Sequence, residues 1–171
     1  MPEHGGATTQ EGIYYQNTVA ARYLADLIDL VQLPPRERVV EVRLEAPSDV
    51  DDAVVRFSDG HRDWLQVKSR IRISGEVWTK LWSDLAAQSV SPEFGTEDRL
   101  IIVFGEADAT ARTLRDLCDR SVTAASEVEW RGCLGVQHHR LLAAIERALG
   151  PSVVRLNSCD GRPRKLRLSK K

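Results

Sequence analysis

Three side chains that could cleave a phosphodiester bond stand at the two ends of a predicted β-hairpin. Asp52 precedes one apolar strand, Gln66 and Lys68 end the next, and the turn residues Ser58-Asp59-Gly60 lie between them. Carboxylate and amide oxygens bind Mg²⁺, and an ammonium group beside the metal can orient the attacking water and offset charge on phosphorus. The segment predicts a minimal phosphodiesterase site if the hairpin brings its two ends together.

The register of the hairpin decides whether these side chains meet. A two-residue turn would place Asp52 opposite Val67, with its carboxylate on the other face of the sheet from Gln66. A three-residue loop with Gly60 in the left-handed conformation places Asp52 opposite Gln66, with Lys68 on the same face. We predict the three-residue loop.

The flanking sequence predicts the elements that must position this hairpin. Apolar periodicity indicates a helix from 11 to about 32, ended by Pro34-Pro35, and a strand at 39–44. After the hairpin we predict a helix at 76 to about 90, a strand at 100–104, a helix at 110 to about 125, a helix at 136–149 and a short strand at 153–156. The continuous apolar run at 100–104 is typical of a strand that is buried on both faces.

Side chains at helical or strand spacing are predicted to face the core. In the four elements where this spacing is clearest, they are Val19, Ala20, Tyr23, Leu24, Leu27, Ile28 and Val31; Val40, Val42 and Leu44; Val77, Trp78, Leu81, Trp82 and Leu85; and Ala111, Leu114, Leu117, Cys118 and Val122.

Length and composition fit one domain with a single core, at 171 residues and 42% hydrophobic content. No apolar run approaches the roughly 20 residues needed to span a bilayer, and the start lacks the regions of a signal peptide, so we expect a cytoplasmic protein without a membrane segment. The three cysteines are odd in number and widely spaced, which argues against a disulfide framework or a zinc site.

Charge is unevenly distributed along the chain. The net charge is −1, but residues 162–171 hold six of the 24 basic residues and no acid, so the remainder carries 18 basic and 25 acidic residues. An acidic body with a basic tail does not coat DNA uniformly, and any nucleic-acid contact must be local. We expect a flexible N-terminus at 1–10, a folded domain at 11–157 and a basic tail or linker at 158–171.

The order of Asp52, hairpin and Gln66-Val67-Lys68 resembles the PD-(D/E)xK nuclease superfamily in its Gln-x-Lys variant, over roughly residues 10–125. With Tyr15-Gln16 in the leading helix and Asp51 beside Asp52, the chain is most similar to restriction-like double-stranded DNA endonuclease domains of bacterial anti-phage systems. These include CBASS effector nucleases and the N-terminal nucleases of STAND NTPases. The resemblance implies an α/β restriction-endonuclease-like core, with a central mixed sheet flanked by helices, over 11–157.

The resemblance also implies roles for the hairpin residues. Asp52, Gln66 and the carbonyl of Val67 would bind Mg²⁺, with Mn²⁺ as a substitute, and Lys68 would orient the water. Asp52 is preferred over Asp51 because the metal ligand of the superfamily immediately precedes the apolar strand.

Further acidic and polar residues are candidates for the same site. Gln16 faces inward on the leading helix and would lie at the site, with Glu11 one turn before it; the alternative is that Gln16 bonds the backbone in the core. Glu45 is the first choice for an additional acidic group and Glu41 the second. The alternative for both is an ordinary solvent-facing strand glutamate.

Two groups of cations are candidates for nucleic-acid binding. If the strand continues beyond Lys68, then Arg70 and Arg72 share its face and could hold a phosphate backbone, although a charged edge strand would show the same pattern. Arg164 and Lys165 belong to the basic tail, which is predicted to assist DNA binding.

Taken with the resemblance, these residues predict a metal-dependent DNA endonuclease that acts as an effector in anti-phage defence, either as a homo-oligomer or fused to a sensor or NTPase module. Two alternatives stay open. One is a catalytically silent nuclease fold used for DNA binding or protein assembly, which Gln66 and the acidic body favour. The other is an RNA-cleaving nuclease, which the same site could support.

Overall fold

The computed structural model describes residues 5–29, 33–44, 52–70, 72–106, 108–150 and 166–169, of which 5–9 and 166–169 are described as backbone only. In chain order the elements are α1 (Gly5–Ile28), β1 (Val39–Leu44), β2 (Ala53–Phe57), β3 (Arg62–Lys68), α2 (Glu76–Val90), β4 (Arg99–Phe104), α3 (Ala109–Thr123), α4 (Glu127–Gly132), α5 (Val136–Leu149) and β5 (Leu166–Ser169).

The strands form one mixed sheet in the order β1-β2-β3-β4-β5. The pairs β1–β2 and β2–β3 are antiparallel, whereas β3–β4 and β4–β5 are parallel. The predicted fold class, an α/β protein with a central mixed sheet flanked by helices, is confirmed. The prediction that residues 100–104 are buried on both faces is also confirmed, because all five are buried.

Each face of the sheet has its own apolar core. On one face, Val19 and Tyr23 of α1 pack against Val55, Leu65 and neighbouring residues of the sheet. On the other face, α2, α3 and α5 pack against residues that include Val54, Trp64, Leu100, Ile102 and Phe104. The alternation of side chains along β2, β3 and β4 therefore assigns every strand residue to one of two layers.

The β2–β3 hairpin has the predicted three-residue loop. Val54 pairs with Trp64 and Ala53 with Leu65, so the next position outward sets Asp52 opposite Gln66. Gly60 has a φ of +94°, in the region that L side chains rarely adopt. The predicted register and the predicted conformation of Gly60 are both confirmed.

A β-bulge in β1 changes which of its side chains face the core. The pairing with β2 shifts by one residue between Val39 and Glu41, so Val40 is the extra residue. Val39 is buried on the α1 side as a result. Of the three residues predicted to face inward, Val42 packs against this core, but Val40 and Leu44 are exposed, and the prediction is wrong for those two.

The helices agree with the predicted order but differ at their ends. α1 includes residues 5–10, which were predicted to be flexible, and it ends at Ile28, well before Pro34. Residues 30–32, including Val31, lie outside the described ranges. Some side chains predicted to face inward in α1, α2 and α3 are exposed, because they lie near helix ends where fewer neighbouring elements cover them; these are Leu24, Leu27, Ile28, Val77 and Val122.

The C-terminal part of the chain contributes to the sheet. α4 is an element that the periodicity did not indicate, and the backbone of Leu166–Ser169 pairs in parallel with β4. These four residues fall inside the predicted tail or linker at 158–171, so that boundary is corrected. A deletion of 162–171 would remove β5 together with the basic charges. The predicted strand at 153–156 lies outside the described residues.

None of the helices in the described part of the chain is both long enough and apolar enough to cross a membrane.

We predict that replacement of glycine by alanine has opposite effects on stability at Gly60, in the hairpin loop, and at Gly12, inside α1. Gly60→Ala should lower the free energy of unfolding by about 1–2 kcal/mol, since a Cβ has open space there but the left-handed backbone is strained. Gly12→Ala, inside α1 with equally open space, should raise it by about 0.5–1 kcal/mol. Urea denaturation of both variants measures the two changes. Equal effects at the two positions would contradict the hairpin geometry.

Candidate active site

Three of the predicted site residues meet at the carboxylate of Asp52. Its Oδ2 atom accepts a hydrogen bond from Gln66 Nε2 at 2.7 Å and lies 3.3 Å from Lys68 Nζ. The backbone N–H of Val67 also donates to Oδ2, at 2.6 Å. Because β2 begins at Ala53, the carboxylate takes the place that a strand carbonyl would otherwise have as acceptor for this N–H.

The site lies at the carboxyl end of β3 and is partly open to solvent. The Gln66 residue is 4% exposed, whereas the side chains of Asp52 and Lys68 are 17% and 28% exposed. Gln66 therefore forms the floor of the site. Asp52 and Lys68 present their charges at its opening, where a solvent molecule or a phosphate group can reach them.

The amide of Gln66 has one acceptor that the fold leaves without a partner. While Nε2 donates to Asp52, Oε1 is buried and has no hydrogen-bond partner among the described residues. A buried unsatisfied acceptor costs about 1–3 kcal/mol, and a water molecule or a cation would satisfy it. This oxygen is therefore a candidate ligand for a hard cation.

The residues present fit a Mg²⁺ ion as a partial ligand set. Asp52 and Gln66 supply hard oxygen atoms, which are the ligands that Mg²⁺ prefers, and Mg²⁺ commonly takes one or two protein ligands with water and substrate phosphates. Within the described ranges, no three His, Cys, Asp or Glu side chains are grouped so that they could hold a metal ion. Val67 contacts Asp52 through its N–H, and the predicted role of its carbonyl remains a prediction.

Gln16 reaches the site from α1. Its Nε2 atom donates to the backbone carbonyl of Asp52 at 3.1 Å. The structure thus shows the alternative given for this residue, a bond to backbone, and the carbonyl it binds belongs to Asp52. A role of Gln16 in catalysis remains a prediction. The bond fixes the residue at the start of β2 against the helix.

Tyr15 anchors the same turn of α1 at the ends of the parallel strands. A Cβ on Gly105 would lie 3.4 Å from the Tyr15 ring and 3.2 Å from the Ser69 carbonyl, so the glycine allows a close approach. Burial raises the pKa of Tyr15, which keeps its hydroxyl protonated. That hydroxyl is buried with no partner in the described part of the chain.

Of the other candidate acidic residues, the two that the structure describes, Glu11 and Glu41, do not join Asp52. Glu11 is exposed on α1, and Glu45 and Asp51 lie outside the described residues. Glu41 pairs with Arg56 and Arg43, and hydrogen bonds from these two guanidinium groups, mainly that of Arg56, lower the pKa of Glu41. As the partner of Arg56 across the β1–β2 ladder, Glu41 lies four residues along the sheet from Asp52.

The predicted continuation of the strand beyond Lys68 is wrong. β3 ends at Lys68, level with the end of β4, so Arg70 and Arg72 have no strand to pair with and the two-residue alternation does not apply to them. Arg70 pairs with Glu106 at 2.9 Å, and Arg72 is exposed. Arg164 and Lys165 lie outside the residues that the structure describes.

The opposite end of β3 carries a buried ion pair that sequence reasoning missed. Arg99 Nη2 lies 2.7 Å from Asp63 Oδ2, and Asp63 is 2% exposed. Burial, followed by the charge of Asp63, raises the pKa of Tyr23 to about 12. The signal for this pair was an acid near the start of one apolar strand and a base at the start of another, and their parallel register sets Asp63 beside Arg99.

The hydrogen bonds to Asp52 predict a stability effect that is independent of catalysis. Asp52→Ala should lower the free energy of unfolding by about 1–3 kcal/mol in EDTA, because Gln66 Nε2 and the Val67 N–H lose a buried acceptor. Asp119→Ala, which removes an exposed aspartate paired with Arg115 on α3, is the control and should change it by less than about 1 kcal/mol. Denaturation curves of the two variants decide the point, and equal losses would contradict it.

Comparisons with known proteins identify no relative: no protein-family model, no curated protein and no solved structure matches this chain. The function is therefore inferred from the geometry around Asp52 and from the residues that carry the resemblance.

Proposed function

We propose that the protein is a Mg²⁺-dependent DNA endonuclease, acting on double-stranded DNA as an effector in bacterial anti-phage defence. One observation carries the proposal. Gln66 and Lys68, which lie 14 and 16 residues after Asp52 in the sequence, both contact one carboxylate oxygen of Asp52 at an open end of the sheet. A hairpin with the other register would have separated them. The resemblance to anti-phage nucleases supports the biological role.

Each residue has a chemical role in phosphodiester hydrolysis. Oxygen atoms of Asp52 and Gln66 would hold Mg²⁺, which when bound supplies Lewis-acid stabilisation of the phosphate oxygens and a more acidic water. The ammonium of Lys68, beside the carboxylate, orients the attacking water and offsets the negative charge that develops on phosphorus. Gln16 positions Asp52 through its backbone carbonyl.

The neutral amide of Gln66 suits an enzyme that must stay idle until it meets its substrate. A glutamine in place of a glutamate removes one negative charge from the site, so metal affinity is modest and substrate phosphates help to complete the coordination shell. A toxic effector benefits from this dependence. Assembly into an oligomer, or fusion to a sensor or NTPase module, would supply the activating signal.

A catalytically silent nuclease fold is the second candidate, and one observation favours it. Asp52 Oδ2 already accepts from three donors, so the carboxylate has a structural function without any metal. The described residues also include no group of three His, Cys, Asp or Glu side chains that could hold a metal ion. Such a protein would bind DNA or assemble with partners without cutting.

Substitution of the charged pair separates catalysis from folding. In a plasmid assay with Mg²⁺ or Mn²⁺, Asp52→Ala should abolish both metal binding and cleavage. Lys68→Ala should keep metal and DNA binding while slowing cleavage by about 10²–10³, the usual effect of losing one preorganised stabilising group. Lys80→Ala, which removes an exposed lysine on α2, should cut at the rate of the wild type.

The assay includes an assembled form of the protein and an RNA substrate. Equal cleavage by the wild type and both site variants would assign the activity to a contaminant. Failure of the assembled wild type to cut DNA or RNA with either metal would favour the silent fold. Cleavage of RNA but not of DNA would mean that the enzyme is a ribonuclease.

Gln66→Glu tests the metal site without measuring cleavage. The variant places a second carboxylate beside Asp52, where Gln66 now donates a hydrogen bond at 2.7 Å. Repulsion between Glu at position 66 and Asp52 favours the protonated form of the pair, so the metal-free variant loses stability as pH rises toward 8. Mg²⁺ should offset this repulsion, and the rise in Tm on adding Mg²⁺ should be larger for Gln66→Glu than for the wild type.

Gln88→Glu is the matched control, because Gln88 is also buried, at 1% exposure, but lies on the inward face of α2. It should lose stability without recovery in Mg²⁺. If Mg²⁺ raises the Tm of neither variant, the pair of Asp52 and residue 66 does not bind the ion.

A further inference from the structure

The sheet face that carries the candidate site extends sideways onto β1 and β2. Residues 52, 54 and 56 share one face, and the register pairs Arg43 with Val54 and Glu41 with Arg56. The bulge in β1 is what turns Arg43 and Glu41 to this side, since it moves Val42 to the α1 side. Two arginines therefore lie on the same face as Asp52 and Lys68.

These side chains form an exposed group, which we call the arginine platform: Arg43, Glu41 and Arg56. Arg43 Nη2 lies 3.1 Å from Glu41 Oε1, and Arg56 Nε lies 2.7 Å from Glu41 Oε2. The side chains of Arg43 and Arg56 are 60% and 48% exposed, so the helices on this face do not cover them. One carboxylate thus bridges two guanidinium groups, and the platform has a net charge of +1.

The platform has the chemistry of a phosphate-binding surface. A guanidinium has five N–H donors, and each arginine uses one of them in its hydrogen bond to Glu41, so both retain donors for phosphate oxygens. The chain outside 162–171 is acidic overall, with 18 basic against 25 acidic residues, so positive charge on this face is a local feature. Such a feature can attract and orient a polyanion on a body that repels it elsewhere.

We propose that the arginine platform binds the phosphate backbone of duplex DNA and guides it to Asp52 and Lys68. This inference rests on the proposed function, since it names the path of that substrate. At about 3.3 Å per residue along a strand and about 4.8 Å between strands, the Cα atoms of Arg43 and Arg56 lie about 8 and 13 Å from that of Asp52. Duplex DNA rises about 3.4 Å per base pair, so the platform contacts phosphates a few steps from the bond at the site.

The alternative role for this group is a set of salt bridges that protects an edge strand. Whether removal of the Glu41 charge strengthens or weakens DNA binding distinguishes this role from phosphate binding. If the group only stabilises the edge, loss of any member has the same effect on the protein. If it binds phosphate, removing the carboxylate raises the local charge to +2 and tightens DNA binding, while removing either arginine weakens it.

The experiment measures fluorescence anisotropy of a short labelled DNA duplex against salt, with the full chain in EDTA so that no strand is cut. Arg43→Gln and Arg56→Gln should each weaken binding by about three- to tenfold at about 0.1 M salt and reduce the slope of log affinity against log salt by about 1. Glu41→Gln should tighten binding and steepen the slope. Arg115→Gln, which removes an exposed arginine of α3, should leave both unchanged.

The proposal is overturned if the wild type does not bind the DNA duplex at low salt, or if it binds an RNA duplex and not the DNA duplex. It is also overturned if the Arg43 and Arg56 variants keep the wild-type slope, or if Glu41→Gln weakens binding as these variants do. Failure of the proposed function has a different signature. A protein that shows the expected binding pattern but never cuts DNA with Mg²⁺ or Mn²⁺ keeps the platform and loses the endonuclease activity.

Discussion

The register of the β2–β3 hairpin is the constraint on which both the core and the candidate site depend. A slip of one residue would move Val55 and Leu65 out of the α1 core, and the same slip would turn Asp52 away from Gln66. Burial of apolar side chains therefore stabilises the arrangement of the polar ones. The site needs no separate source of free energy to exclude the register one residue away, because that slip would also exchange strand side chains between the two apolar cores.

How much the sequence predicts depends on whether the determining interaction is local. The hairpin loop was predictable because Gly60 and the flanking strands are contiguous, and the bounds of α2 and α5 follow from periodicity and adjacent glycines. The bulge in β1 was not predictable, since an extra strand residue can be recognised only from the pairing with the neighbouring strand. The end of β3 depends on where β4 ends, and β5 lies in a basic segment that composition assigns to a tail.

The candidate site was predicted in its central part for the same reason. Asp52, Gln66 and Lys68 lie on one hairpin, so local register determines their contact. Gln16 approaches from 36 residues away, and only its inward face was predictable from its helix. Arg56 faces the site side by simple alternation along β2, whereas the pairing of Arg43 beside it depends on the bulge in β1, which the sequence did not reveal.

The hydrogen bond from Gln16 to the Asp52 carbonyl makes the first helix part of the machinery of the site. α1 spans 24 residues, about 36 Å at 1.5 Å per residue, and its far end carries exposed apolar side chains such as Ile28. The same helix packs Val19 and Tyr23 against the sheet, so the apolar core on that face and the placement of Asp52 depend on one continuous element.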